Sequence, residues 1–321
     1  MLLILWFHTE MYVAGRDITP YDLYVPNALT TFFFLSGYLF APTVPGAFAA
    51  GSHTPALATK LTSIARKLLL PYFVFTLLLA VPKAVVLGVP LKSVITAIAQ
   101  GNGSWFVAAL IVAETLLALA MATGSRWVVC SLPVASLAAA WALTGTSLSM
   151  HHNYWNFHNA LLLLPFLCLG LLFRHSACSA VFQRRPWLLI VPALLLILIK
   201  LTVVTHHHSQ LVEPVAITSY PLFVADMVCA IAIAVAVVRQ LPPIAPLSWL
   251  GRNTLVCYFF CGAVPALVAR CLPPYAGNYL TIPLAFVAVC LVEAVVIVVS
   301  NKIILKPMNR ILDSLTKKKS H

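Results

Sequence analysis

Apolar segments about as long as a bilayer is thick recur along the whole chain, and they restrict what it can fold into. About 20 consecutive apolar residues cross the hydrocarbon core as an α-helix. Of the 321 residues, 61% are hydrophobic and only 9% are charged, too few charges to cover a water-soluble domain of this size. The sequence therefore predicts an all-α, polytopic transmembrane helix bundle, with residues 1–321 forming a single domain.

Hydropathy along the chain predicts about ten membrane spans. Their approximate limits are 1–15, 26–42, 66–88, 104–122, 126–146, 157–174, 186–204, 217–238, 247–270 and 279–304. The first segment lacks the basic start and the small-residue cleavage site of a signal peptide. Few apolar residues precede His8 in it, so we expect a short first helix or a natural start upstream of Met1.

Basic residues are distributed unevenly over the connections between these spans. With the N-terminus in the cytoplasm, most of the 20 lysines and arginines fall on the cytoplasmic side, which is the side that positive charge favours. We therefore predict that both termini are cytoplasmic. The net charge of +12 then reflects topology and contact with lipid headgroups, and we expect no nucleic-acid partner.

The first span carries two ionisable residues, His8 and Glu10. A histidine inside a membrane has a pKa suited to proton transfer and is a candidate base, although it can also be packed with a satisfied hydrogen bond. Residues two positions apart on a helix point about 200° away from each other. We therefore expect Glu10 to face water, headgroups or substrate and not to orient His8.

Three acids, Glu114, Asp226 and Glu293, fall inside the fourth, eighth and tenth predicted spans. A charge in hydrocarbon is unfavourable unless it is paired or lines a cavity. Structural pairing and a functional role are both open for each of them. For Glu293, Arg252 or Lys302 is the expected partner.

Two connections on the predicted outer side are rich in histidine. In SMHHNYWNFHN, the side chains of His151, His152 and Asn153 lie beside aromatic residues, a mixture that suits a sugar as well as an interfacial aromatic belt. The second connection contains three consecutive histidines, 206–208. Adjacent side chains cannot all face one ion, so we expect no metal site. The scattered cysteines predict small core residues and neither disulfides nor a zinc site.

Six segments occur in an order that resembles a known family. They are LLILWFH, TTFFFLSGYLF, KLTSIARKLLLPYFVF, GSWFVAALIVAETL, LLLLPFLCLGLLFR and PLSWLGRNTLVCYFF. This order resembles membrane-bound acyltransferase family 3, which includes O-acetyltransferases of surface sugars. The resemblance covers most of the chain.

The resemblance implies an O-acyltransferase of the cell (inner or plasma) membrane. Acetyl-CoA or another acyl-CoA would be the co-substrate, with no bound cofactor, and the acceptor would be a hydroxyl of an extracytoplasmic carbohydrate or glycolipid. The family histidine falls on His8, as general base. Substrate contacts are then expected at Glu10, Ser36, Tyr38, Trp105, His151, His152, Asn153 and Glu293.

Coenzyme A phosphates require cations on the cytoplasmic side. Lys60, Arg66 and Lys67 precede the third predicted span, and Arg66 is the preferred contact, although ordinary anchoring explains them equally well. The chain departs from the family pattern at two places. The Arg-x-x-Arg motif before the third span is incomplete, and the late Tyr-x-x-His motif has Cys261 in place of the histidine. Two alternatives therefore stay open: a transporter of a sugar or lipid-linked saccharide, and a catalytically inactive relative.

Overall fold

The structure is a computed structural model that describes residues 1–40, 54–150, 153–175, 189–273 and 275–317. The helices, in chain order, are α1 (Leu2–Ala14), α2 (Tyr21–Phe40), α3 (Thr54–Ile64), α4 (Leu70–Leu78), α5 (Ala80–Leu87), α6 (Leu91–Ala99), α7 (Trp105–Ala122), α8 (Arg126–Leu143), α9 (Ser147–Met150), α10 (Phe157–His175), α11 (Ile190–Thr205), α12 (Tyr220–Gln240), α13 (Ala245–Arg252), α14 (Thr254–Phe260), α15 (Ala263–Cys271), α16 (Thr281–Ser300) and α17 (Lys306–Lys317).

Irregular elements are few among these residues. Five-residue π-helical turns, Ala65–Leu69 and Asn301–Leu305, join α3 to α4 and α16 to α17, and a short 3₁₀ turn, Tyr154–Asn156, precedes α10. Two-residue strands β1 (Gln210–Leu211) and β2 (Ala216–Ile217) pair antiparallel between α11 and α12. The predicted all-α class is confirmed.

Seven helices of the described chain are long and apolar enough to cross a membrane, and the number is eight if the bent pair α14–α15 forms one span. The helices α1 and α11 are apolar but shorter, with 13 and 16 residues. Each of the ten predicted spans overlaps one of these segments. The multi-pass prediction is therefore confirmed, whereas the cytoplasmic location of the termini stays a prediction.

The third predicted span, 66–88, is wrong at both ends. The observed span is Leu57–Leu78, and the chain kinks at Leu79 before α5. Lys60, Arg66 and Lys67 therefore lie within the helical segment and do not precede it. Long basic side chains can reach the interface from inside a helix, so a hydropathy window that stops at the first charges starts the helix too late.

Two further boundaries differ from the prediction. The second span starts at Tyr21, because Pro26 is accommodated within the helix instead of starting it. The segment predicted as one span over 247–270 is divided into α13, α14 and α15, and α14 and α15 meet at an angle of 51° around Gly262. Part of the segment that precedes α11 lies outside the described residues.

The chain divides into two compact units. Unit 1 comprises Met1–Val25 and Leu241–His321, and unit 2 comprises Pro26–Gln240. In unit 1, α1 packs against α15 and α16, and α14 and α15 both pack on α16. The Trp6 ring meets the Phe286 ring of α16 edge to face, with centroids 5.2 Å apart.

Unit 2 is built around α10, which packs on α7 and α8 and carries most of the large buried side chains of this unit. The pairs α3–α7 and α11–α12 also pack closely. The prediction of a single domain stays a prediction.

Two glycines allow α2 and α10 to cross in close contact. A Cβ added to Gly37 would collide with the carbonyl oxygen of Leu167, and a Cβ added to Gly170 would collide with the carbonyl of Phe34 and the amide of Tyr38. Membrane helices that approach this closely need small residues at the contact. The absence of a side chain at Gly37 and Gly170 therefore permits this close helix packing.

Gly37→Ala should destabilise the protein by about 2 kcal/mol, because the backbone of α10 cannot yield locally to the added methyl group. The free energy of unfolding, measured by SDS titration in mixed micelles, tests this. Gly251→Ala is the matched control, since a Cβ there meets nothing within 4 Å and alanine favours a helix. Equal stability of Gly37→Ala and wild type would contradict the proposed crossing.

Candidate active site

His8 lies in the middle of α1, half-buried, within unit 1. Its imidazole stacks on the ring of Tyr12, one turn later, with centroids 6.4 Å and ring planes 27° apart, and it is tilted by 60° against Phe7. No hydrogen bond to the imidazole is formed by another described residue of this unit. The ring is therefore held by aromatic packing alone, and its nitrogens can exchange a proton with a bound molecule.

Tyr12 connects this face of α1 to the bend between α14 and α15. A Cβ added to Gly262, at the bend, would lie 3.8 Å from the Tyr12 hydroxyl oxygen. The sequence analysis missed Tyr12, although its position four residues after His8 places both rings on one helical face.

Glu10 does not face water, and that prediction is wrong. Its side chain is 1% exposed, and its carboxylate accepts hydrogen bonds from the backbone N–H of Thr19 (3.1 Å) and the Thr19 hydroxyl (2.9 Å). The residue fixes the connection between α1 and α2. Its predicted independence from His8 agrees with these contacts, whereas its role as a substrate contact stays a prediction.

Glu293 is a buried acid of α16 that forms no ion pair with a described residue. It is 1% exposed, and the only side chain that interacts with its carboxylate as a hydrogen-bond donor is the weakly polar thiol of Cys257. The expected pairing with Arg252 or Lys302 is therefore wrong. The thiols of Cys257 and Cys261 interact with the carboxylate electrostatically, so the acid is surrounded by weakly polar groups that do not neutralise it.

Ser36 and Glu114 join α2 to α7 within unit 2. The Ser36 hydroxyl donates to Glu114 Oε1 over 2.5 Å, and the carboxylate also interacts electrostatically with Lys60 and Lys67. Both side chains are half-buried. The pair places a hydroxyl and a carboxylate inside the helices, close to two cations.

The C-terminal end of α2 carries aromatic rings on which cations of other helices pack within unit 2. Lys60 Nζ lies 3.3 Å from the centroid of the Phe40 ring and donates to the Phe40 carbonyl. This group of residues is called the cationic–aromatic cluster below and consists of Tyr38, Phe40, Lys60, Phe173, Arg174 and Arg239.

Both arginines of the cationic–aromatic cluster also lie over rings. Arg174 donates to the Tyr38 carbonyl (2.9 Å) and lies over the Tyr38 ring, and Arg239 lies over the Phe173 ring. The Tyr38 and Phe173 rings are 6.5 Å apart, so the two cation–ring pairs are neighbours. The sequence predicted these arginines on the cytoplasmic side but did not predict the rings over which they lie.

Arg66 and Lys67 occupy the π-helical turn between α3 and α4, the first half-buried and the second exposed. The structure does not place either of them among the cation–ring pairs of the cationic–aromatic cluster. Their predicted contact with coenzyme A phosphates, with Arg66 preferred, stays a prediction.

The connection before α10 is held by its own side chains. The Asn153 amide donates to Asn159 Oδ1 (2.6 Å) and accepts from the His158 backbone N–H (3.0 Å). Both ring nitrogens of His158 are bonded, to the Ser149 hydroxyl and the Ala140 carbonyl. Asn153 therefore has a structural role, its substrate role stays a prediction, and His151 and His152 lie outside the described residues.

Trp105 begins α7 and is half-buried, with its ring edge-on to Phe106 at 5.7 Å. Nearby in unit 2, Trp155 and Asn156 both have positive φ angles, 55° and 52°. They are held there by bonds from Trp155 N to the Gln100 carbonyl and from the Asn156 amide to the Gly101 carbonyl. Strained residues of this kind persist only when their surroundings fix them, so this connection is rigid.

Asp226 is fully buried and belongs to a three-helix polar contact in unit 2. It pairs with Lys200 of α11 (2.7 Å) and accepts from Asn27 of α2 (3.0 Å). Structural pairing therefore explains this acid. Among the described residues, no group of three His, Cys, Asp or Glu side chains could hold a metal ion, and the described cysteines are free thiols.

The fold defines the protein as an all-α, multi-pass membrane protein. A family model for acyltransferase family 3, described as an acyltransferase domain, matches residues 1–301. The chain therefore belongs to this family of membrane acyltransferases. No curated protein and no solved structure matches the chain.

Lys200→Met should destabilise the protein by about 3 kcal/mol, because it leaves the Asp226 carboxylate buried without a counter-ion. The double variant Lys200→Met/Asp226→Leu should recover most of that loss, since no charge is then buried. SDS titration of both variants measures the effect, with Lys92→Met, an exposed lysine of α6, as the control. A double variant as unstable as the single one would show that the pair does not act as a unit.

Proposed function

We propose that the protein transfers an acetyl or other short acyl group from a cytoplasmic acyl-CoA to a hydroxyl of an extracytoplasmic carbohydrate or glycoconjugate. His8 is the general base. It takes the proton of the acceptor hydroxyl while the oxygen attacks the thioester carbonyl. The carbon–sulfur bond then breaks, and the coenzyme A thiolate leaves with the proton from the histidine.

This proposal rests on the surroundings of His8 and on the absence of hydrogen bonds to its imidazole, in a chain that belongs to this family. The imidazole lies half-buried in an apolar helix, is oriented by Tyr12 and Phe7, and makes no hydrogen bond to the described residues of its unit. A structural histidine in a membrane normally satisfies its nitrogens, as His158 does. A general base must keep a nitrogen available for the substrate.

The buried Glu293 of unit 1 supports the same assignment. A buried carboxylate without a counter-ion is unfavourable, and α16, which carries it, packs directly on α1. We assign Glu293 to binding a polar group of a substrate, because such a group would satisfy its oxygens.

The cationic–aromatic cluster is the proposed site for the coenzyme A nucleotide. Arginine and lysine bind phosphate groups, and planar rings and guanidinium groups stack on a base. Lys60 is also linked through Glu114 to Ser36. The polar side chains of Lys60, Glu114 and Ser36 could bind the amide groups of a pantetheine arm. Ser36 and Tyr38 were predicted as substrate contacts.

The acceptor is proposed to bind on the outer side of a cell (inner or plasma) membrane. The candidates for contact with the acceptor remain Glu10, Trp105, His151 and His152. The rigid connection around Trp155 offers an aromatic surface of the kind that binds sugar rings.

His8→Ala should lower acyl transfer about 100-fold or more, the usual contribution of a general base. Purified protein in nanodiscs is incubated with radiolabelled acetyl-CoA and crude surface polysaccharide, and label in the polysaccharide is counted. Tyr12→Phe is the control, because it keeps the ring that packs on His8. Full activity of His8→Ala would exclude the base, and absence of transfer in wild type together with saccharide uptake into vesicles would favour a transporter.

Lys60→Met should raise the KM for acetyl-CoA about tenfold, equivalent to about 1.4 kcal/mol, with little change in kcat. The increase should disappear with S-acetylpantetheine, which lacks the nucleotide phosphates. Lys92→Met serves as the matched control. A KM that rises equally for both donors would assign Lys60 to packing on Phe40 and not to phosphate binding.

A further inference from the structure

The last helical segment of unit 1 is longer than a membrane requires. The continuous helix Thr281–Leu312 has 32 residues and is about 48 Å long at 1.5 Å per residue, whereas the hydrocarbon core is about 30 Å thick. The part from the π-helical turn Asn301–Leu305 through α17 therefore extends beyond the core, into the headgroup layer.

This extension carries a row of exposed cations. Lys302 lies in the π-helical turn, and Lys306 and Arg310 follow in α17, and all three are exposed. Because Lys306 and Arg310 are four positions apart, they share one helical face. In the sequence, Asp313 is the only acid of α17.

Apolar side chains accompany the cations in the same segment. Ile303 and Ile311 are 66% and 61% exposed. Met308 and Leu312, also four positions apart, lie on the helical face opposite Lys306 and Arg310. A helix with a basic face and an apolar face is typical of segments that lie at the surface of an anionic membrane.

A second amphipathic segment lies beside the first. The Asn301 amide donates to Asn253 Oδ1 over 2.6 Å, which fixes the end of α13 next to the π-helical turn. Arg252 is exposed there, and Leu247 of α13 is 47% exposed. The two segments together form one surface of mixed cationic and apolar character.

We propose that this surface, formed by α13, the π-helical turn Asn301–Leu305 and α17, binds the headgroups of anionic phospholipids. Cations near an anionic leaflet are attracted by its negative surface charge. The exposed isoleucines favour a lipid over a soluble phosphate, because only a lipid also supplies an apolar phase next to the phosphate. The binding is independent of the acyl-transfer site.

The experiment uses the full chain in nanodiscs of phosphatidylcholine alone and of phosphatidylcholine mixed with phosphatidylglycerol. Amide hydrogen exchange is followed in peptides covering 302–317. Anionic lipid should slow exchange about tenfold or more in wild type at low salt, and high salt should reverse the effect. The variant Lys302→Gln/Lys306→Gln/Arg310→Gln should exchange equally in both lipids.

The control Lys83→Gln/Lys92→Gln/Arg270→Gln removes three exposed cations from other parts of the chain and should behave as wild type. Equal exchange of wild type in both lipids would overturn the proposal, and so would loss of the effect in the control variant. Coenzyme A is added to phosphatidylcholine nanodiscs in a separate arm. Slower exchange there would assign the surface to the nucleotide and would also overturn lipid binding.

Discussion

Hydrocarbon offers no hydrogen-bond partner, and this constraint decides which polar side chains the bundle can carry. In unit 2 the constraint is met by pairing. Asp226 is bonded by Lys200 and Asn27, and Glu114 is bonded by Ser36. In unit 1, His8 makes no hydrogen bond to a described residue of the unit, and Glu293 lies inside the helices without a counter-ion, beside the thiol of Cys257. Both kinds of side chain occur in the same membrane, and this difference is the reason for assigning the unpaired ones to the proposed substrate site.

Close packing of α2 on α10 has a consequence for the proposed donor site. The same glycine contact that brings Gly170 against the backbone at Tyr38 sets the register of the two helices. Arg174, one turn after Gly170, then reaches the Tyr38 carbonyl and ring. A wider crossing would separate the guanidinium group from its acceptor. The small residues of two sequence motifs therefore position Arg174, the cation that ends the second motif, on the backbone of the first.

The spans and the family could be predicted from the sequence, because hydropathy and motif order are properties of single segments. The hydrogen-bonded pairs of polar side chains between helices could not be predicted. Asn27 and Asp226 are far apart in the chain, and nothing local to either residue indicates the other. Glu10 was predicted to face water, headgroups or substrate because it points away from His8, but the hydroxyl and N–H of Thr19 bind its carboxylate inside the protein. The predicted start of a helix was wrong where basic residues lie within the helix, as at Lys60.

The basic residues predicted on the cytoplasmic side occur in two kinds of surroundings in the structure. In unit 2, Lys60 and Arg174 are fixed by aromatic rings and backbone carbonyls, so their charges have defined positions, as recognition of a nucleotide requires. In unit 1, Lys306 and Arg310 are exposed along one helical face, an arrangement that suits a fluid layer of headgroups. A count of charges gives these four residues the same weight in predicting which side of the membrane they lie on. Their surroundings differ, and this difference is the basis for separating the proposed donor site from the proposed lipid surface.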